Sequence, residues 1–151
     1  MRIYRWLVGG LSLAAAACGT EPESFRVGCS GIDVVEVGQG LSPRMSWSPT
    51  CSVARLRVYE AIPRVPSEDP VPPLPGEHPD YLAGQLLWAI ASLDGLGNRL
   101  EPGLVYAEVP GSAIEQVPAL PLQAGQPYLV RLTVLSPDGG DDLGAWGVFT
   151  P

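Results

Sequence analysis

Lysine is absent from this 151-residue chain, histidine occurs once, and no uncharged apolar run approaches the roughly 20 residues that a membrane-spanning helix needs. The single histidine, His78, lies in Gly76-Glu77-His78-Pro79-Asp80, between turn-forming residues. A Ser-His-Asp site or a histidine-containing metal site would have to be built on that one imidazole. The HExxH, CxxC and phosphate-cradling glycine patterns are missing as well. Sixteen acidic residues always offer two carboxylates, yet nothing singles out a pair for glycoside hydrolysis. The expectation is therefore a protein that is not an enzyme, with His78 a solvated loop residue. A hydrolase or metal enzyme is the outlying reading.

All nine basic residues are arginine, against 18 glycines and 17 prolines. That bias reads as the product of a GC-rich genome and carries no functional weight. The formal net charge of −7 argues against nucleic acid and against anionic lipid headgroups, since both require clustered cations.

What is present begins with an export signal. Arg2 and Arg5 precede the uncharged stretch 6–17, which has the dimensions of a signal-peptide apolar region. Ala15-Ala16-Ala17 fits an ordinary small-residue cleavage site that would release a soluble protein. With Cys18 added, Ala15-Ala16-Ala17-Cys18 resembles the bacterial lipobox, although Ala15 stands where leucine is usual. That resemblance implies cleavage before Cys18 and a diacylglyceryl group on its thiol. Several acyl chains, at about 0.8 kcal/mol per buried CH₂, hold a protein on a bilayer firmly. Gly19 after the cysteine implies the outer membrane if the cell is Gram-negative. Removing residues 1–17 leaves seven arginines against sixteen acids, a net charge of −9 on about 134 residues, enough for one domain with a real core. No other cofactor is expected. If Cys18 carries lipid, Cys29 and Cys51 remain as one pair in an oxidising compartment, either bridged or as two independent buried thiols.

Residues 18–28 read as a polar tether. Beyond it, Pro and Gly recur so often that no window supports an uninterrupted helix of ten residues. Seven candidate strands are legible, at 32–37, 44–48, 53–61, 85–92, 104–109, 128–135 and 145–150. In the third, Ala54, Leu56 and Val58 face one way, with Arg55 and Arg57 opposite. In the fourth, Leu86, Trp88 and Ile90 share a face. In the sixth, Tyr128, Val130, Leu132 and Val134 point inward, with Arg131 and Thr133 outward. Seven short strands with turns between them predict an all-β antiparallel sandwich. Trp47, Trp88, Trp146 and Tyr128 are assigned to its core. The stretch 63–80 holds seven of the prolines and reads as an extended, solvated, polyproline-leaning loop, with a docking segment as its functional alternative. Asp138-Gly139-Gly140-Asp141-Asp142 joins the last two strands. Its three carboxylates make Asp138, Asp141 and Asp142 a weak calcium candidate, while Asp-Gly pairs are ordinary hairpin turns.

Leu122-Gln123-Ala124-Gly125-Gln126-Pro127-Tyr128, running into Leu129-Val130-Arg131-Leu132, resembles the tyrosine corner of fibronectin type III domains, with Ala124 where the family usually has proline. Met45-Ser46-Trp47-Ser48-Pro49 is similar to that family's second strand and Leu56-Arg57-Val58-Tyr59 to its third. The resemblance spans 29–151 and implies an immunoglobulin-like or fibronectin type III-like sandwich. It also places Cys29 and Cys51 at one pole, close enough to bridge, with the tether entering there and the 63–80 loop at the other pole, facing away from the membrane. The long proline-rich insertion and the residues from 94 to 120 depart from the family. The family's habit makes the 138–142 loop a contact candidate, though it has no Arg-Gly-Asp. The functional expectation is a lipid-anchored, non-catalytic module of the periplasm or cell envelope that binds a protein or polysaccharide. The alternative is a structural or assembly subunit of an envelope complex.

Overall fold

The computed structural model describes residues 28–65, 73, 76–93, 97–136 and 143–151. The leader, Cys18 and the tether to residue 27 lie outside the described residues. So do Asp138, Asp141 and Asp142 and most of the proline-rich stretch.

Among the described residues there are eight strands and no helix: β1 (Val34–Val37), β2 (Arg44–Ser48), β3 (Arg55–Pro63), β4 (Tyr81–Ser92), β5 (Leu104–Val105), β6 (Ala113–Val117), β7 (Tyr128–Val134) and β8 (Leu143–Phe149). The all-β expectation holds. A three-stranded sheet ordered β1-β2-β5 packs on a five-stranded sheet ordered β6-β4-β3-β7-β8, and every pairing is antiparallel.

Period-two alternation located β3 and β7. Leu56 and Val58 on one strand, and Val130, Leu132 and Val134 on the other, enter a shared core with Met45, Trp47, Trp88 and Tyr128. Trp88 is wholly buried, and its indole N–H donates to Glu115 Oε1 at 3.1 Å. Trp47 donates to the Cys51 carbonyl at 2.7 Å. Capping each indole N–H in this way removes the penalty of burying it.

Three expectations need correction. The strand count is eight, not seven, because β6 adds to the edge beyond β4. The fifth candidate, 104–109, stops at Val105: Ala107 takes a left-handed φ of 66°, and the Glu108 amide closes a turn on the Val105 carbonyl. In β4, Val58 faces Trp88 but Tyr59 faces Leu86, so Leu87 is an extra residue at a bulge. A single inserted residue flips the alternation. Leu87 thus joins the core, and Leu86 falls on the outer face beside Tyr59.

The sandwich closes along one side where β1 meets β8. A Cβ on Gly147 would lie 2.8 Å from Val35 Cγ1, so only glycine allows the two strands this close. At one pole Cys29 and Cys51 form a disulfide with a Cα separation of 5.3 Å. Closing that loop stabilises the fold by about 3 kcal/mol on the chain-entropy model. Nearby, wholly buried Asn98 acts as a strand partner for Leu135, its amide donating to the Leu135 carbonyl and its carbonyl accepting the Leu135 N–H, each at 2.9 Å.

Two tyrosines hold the connection between β6 and β7. The Tyr128 hydroxyl accepts the Gln123 N–H at 2.8 Å, and the Tyr106 hydroxyl donates to the Leu120 carbonyl at 2.6 Å. Burial, with the nearby Tyr128 phenol adding to it, pushes the Tyr106 phenol up to about 12, and the bond to Leu120 opposes the rise.

Candidate functional site

The outer face of the five-stranded sheet is set by register. Arg57 on β3 lies directly opposite Arg131 on β7, which in turn lies opposite Trp146 on β8. Directly opposed residues share a face, so Arg55, Arg57, Tyr59, Arg131 and Trp146 all turn away from the core. Trp146 therefore leaves the core to which the sequence assigned it, and Gly147 takes the inward position beside it. Trp47, Trp88 and Tyr128 remain core residues, each at most 4% exposed.

The C-terminal end of the proline-rich stretch folds back onto this face. The Trp146 indole N–H donates to the Gly76 carbonyl at 2.9 Å. Gly76 has φ 83°, a left-handed conformation that favours glycine. The Arg64 guanidinium then fixes the turn: Nε donates to the His78 carbonyl at 3.2 Å, and Nη2 meets Glu77 Oε2 at 2.6 Å. His78 is half-buried rather than freely solvated. Its ring centroid is 5.4 Å from that of Tyr81, and its Nδ1 accepts the Asp80 amide at 3.1 Å.

These residues enclose a hollow of about 270 Å³ with Tyr59, Tyr81 and Trp146 as its aromatic walls and Arg131, Arg64 and Glu77 as its charged groups. Arg131 Cζ stands 5.2 Å from the Trp146 ring centroid, and Tyr59 tilts against the same indole at 6.1 Å. The cation–π contact contributes about 0.5–1 kcal/mol and holds the guanidinium against the Trp146 wall of the hollow.

The electrostatics are unusual for a chain of net charge −7. Two arginines occupy directly opposed positions on neighbouring strands, and like charges so placed are destabilising. Neither Arg57 nor Arg131 has an ion-pair partner among the described residues, and Arg131 Nε is buried without a hydrogen-bond acceptor. Arg64 differs, since Glu77 neutralises it. Chemically, the hollow offers cationic donors, one carboxylate acceptor and flat apolar rings, the requirements of a ligand with both polar and apolar faces.

Sequence reading placed the charged half of this site outward, at Arg57 and Arg131, but missed its aromatic half. Tyr59 and Trp146 sit on different strands, and only the β3-β7-β8 register brings them together. Cys29 and Cys51 come together as one of the two readings allowed. Cys18 and the aspartates of the 138–142 loop lie outside the described residues. Among the described residues no three His, Cys, Asp or Glu side chains gather to hold a metal. Comparison with known proteins gives no match to a protein-family model, a curated protein or a solved structure.

Proposed function

We propose that this chain is a non-catalytic, lipid-anchored module of the bacterial cell envelope that holds a partner on the outer face of its five-stranded sheet. The observation that carries the reading is the uncompensated Arg57–Arg131 pair beside an aromatic hollow. Keeping like charges opposed costs stability, and an anionic group on a ligand offsets that cost. The anchor rests on Ala15-Ala16-Ala17-Cys18 and the charged, then apolar, leader.

In this reading the sandwich is of the fibronectin type III kind. Its support is the β3-β7-β8 run, which matches the C-F-G order of immunoglobulin-type sheets, together with β1 and β2 in the opposite sheet. The Tyr128 hydroxyl bonded to upstream backbone, at the start of the strand corresponding to F, adds to it. Strand β6 is then an addition beyond the family pattern.

The alternative, an assembly subunit of an envelope complex, is favoured by one feature. Ile62 and Leu82, cross-strand partners at the far end of the β3–β4 hairpin, are 47% and 42% exposed, and Val65 beside them is 86% exposed. Such apolar tips suit packing against a neighbour.

The test is capture from native membranes with the full chain, comparing the parent with Arg57→Glu/Arg131→Glu. The module reading expects a partner held by the parent and lost in the charge-reversed variant. Capture unchanged by reversal but lost on Ile62→Ser/Val65→Ser would favour the assembly role. Intact mass of the membrane-extracted chain tests the anchor, which requires an acylated Cys18 at the N-terminus.

A further inference from the structure

We infer that the hollow between Tyr59, Tyr81 and Trp146 recognises a carboxylate-bearing sugar, one uronic acid unit of an acidic polysaccharide. The inference rests on the reading of this face as a partner site and names the chemistry of that partner. Four properties of the hollow point to it.

At about 270 Å³ the hollow falls just below the usual range for ligand pockets, about 300–1,000 Å³, which suits a single ring rather than an extended side-chain cluster. Its walls are aromatic, and the C–H face of a pyranose packs on such rings while its hydroxyls stay free to hydrogen-bond. Its polar groups are of both kinds. Arg131 donates, and Glu77, fixed by Arg64, accepts. Sugar hydroxyls satisfy both, whereas the side-chain carboxylates of an acidic peptide only accept and leave Glu77 without a donor from the ligand. Finally, the Arg131 guanidinium lines the hollow without an ion-pair partner among the described residues, and Arg57 stands opposite on the next strand. A carboxylate docked on that guanidinium offsets the charge of the opposed pair, which a neutral sugar does not do.

The experiment is a calorimetric titration of the full chain in detergent with a defined oligogalacturonate. The neutral oligogalactose of the same length and oligoglutamate serve as comparison ligands. The inference expects oligogalacturonate to bind at least about tenfold more tightly than either, with affinity falling as salt rises. Arg131→Gln removes about tenfold or more of the oligogalacturonate affinity and weakens the neutral sugar by a smaller factor. Arg57→Gln weakens the acidic ligand in the same direction, and Arg44→Gln on the other sheet changes neither. Near-UV circular dichroism of each variant confirms that it is folded.

Equal binding of acidic and neutral sugars, or preference for oligoglutamate, overturns the inference. So does an absence of oligogalacturonate binding. In that last case, membrane capture that still depends on Arg57 and Arg131 leaves the partner-site reading standing and sinks only the sugar. If capture is also indifferent to the charge reversal, both readings fall.

Discussion

Two pairs of aromatic residues show how local partners decide roles. Trp88 and Trp146 are the same residue type in similar strands, yet one is wholly buried and the other faces outward against Arg131. Truncating Trp88 to alanine should cost about 3–5 kcal/mol through cavity formation. Trp146→Ala should cost about 1 kcal/mol, the worth of its cation–π contact and its bond to Gly76. Denaturant unfolding of the two variants measures the contrast. Equal losses would put Trp146 back in the core. Tyr106 and Tyr128 make a similar test of the β6–β7 connection. Removing the Tyr128 hydroxyl leaves the Gln123 N–H without its acceptor, and removing that of Tyr106 leaves the Leu120 carbonyl without its donor. Each Tyr→Phe change should destabilise by about 1–2 kcal/mol.

The Tyr106 phenol also gives a pH dependence of definite sign. Its value in the folded chain, about 12, exceeds the ordinary 10.0, so the folded state holds this proton more tightly than the unfolded state. Its contribution to stability is complete below pH 10 and is lost as pH rises through 12. Thermal unfolding of the parent should show an alkaline decline above pH 10 that is smaller in Tyr106→Phe.

At the scale of elements, β1 and β8 meet only because Gly147 lacks a side chain. Gly147→Ala places a Cβ 2.8 Å from Val35 Cγ1 and should cost roughly 1–3 kcal/mol. Val35→Ala in the same chain should recover part of that loss, which a double-mutant cycle reads directly. Independent losses would mean the two strands do not approach as described.

The elements legible beforehand were those whose side chains alternate without interruption. Strands β3 and β7 declared themselves because Leu56, Val58, Val130 and Leu132 alternate with arginines or a threonine. Strand β6 did not. It is an edge strand whose Ile114, Glu115 and Gln116 are all exposed, so burial leaves no period to detect. The first part of β4 was hidden for a related reason. Ala83 and Gly84 have weak strand propensity, and the bulge at Leu87 breaks the phase between Leu86 and Trp88. The proline-rich stretch read as a loop projecting from one pole. Its residues 76–78 instead lie back on the sheet, drawn there by the Trp146–Gly76 bond and by Arg64, contacts between residues far apart in sequence.

Over the whole molecule, charge is distributed against its own average. A chain of net charge −7 turns Arg57 and Arg131 to one sheet face and neutralises Arg64 within the same hollow. Net charge, the quantity legible in composition, says nothing of such a local cationic face. Its arginines come from β3 and β7, and its aromatic walls from β3, β4 and β8, with Tyr59 and Trp146 about 90 positions apart. No linear motif can encode it. The proposed leader has the opposite character: Arg2, Arg5, the uncharged stretch 6–17 and Cys18 are adjacent in sequence, so that proposal needs no fold to be read.

The account turns on the outer face of the five-stranded sheet being the surface where a partner docks. A photo-crosslinking residue placed at Tyr81 in the full chain, in intact cells that make it, tests this most directly. The same residue at exposed Val109, beyond the end of β5, serves as the reference position. The account predicts a discrete adduct from Tyr81 that disappears in the Arg131→Glu background, and none from Val109. Adduct formation at Val109 alone, or at Tyr81 regardless of Arg131, would contradict it.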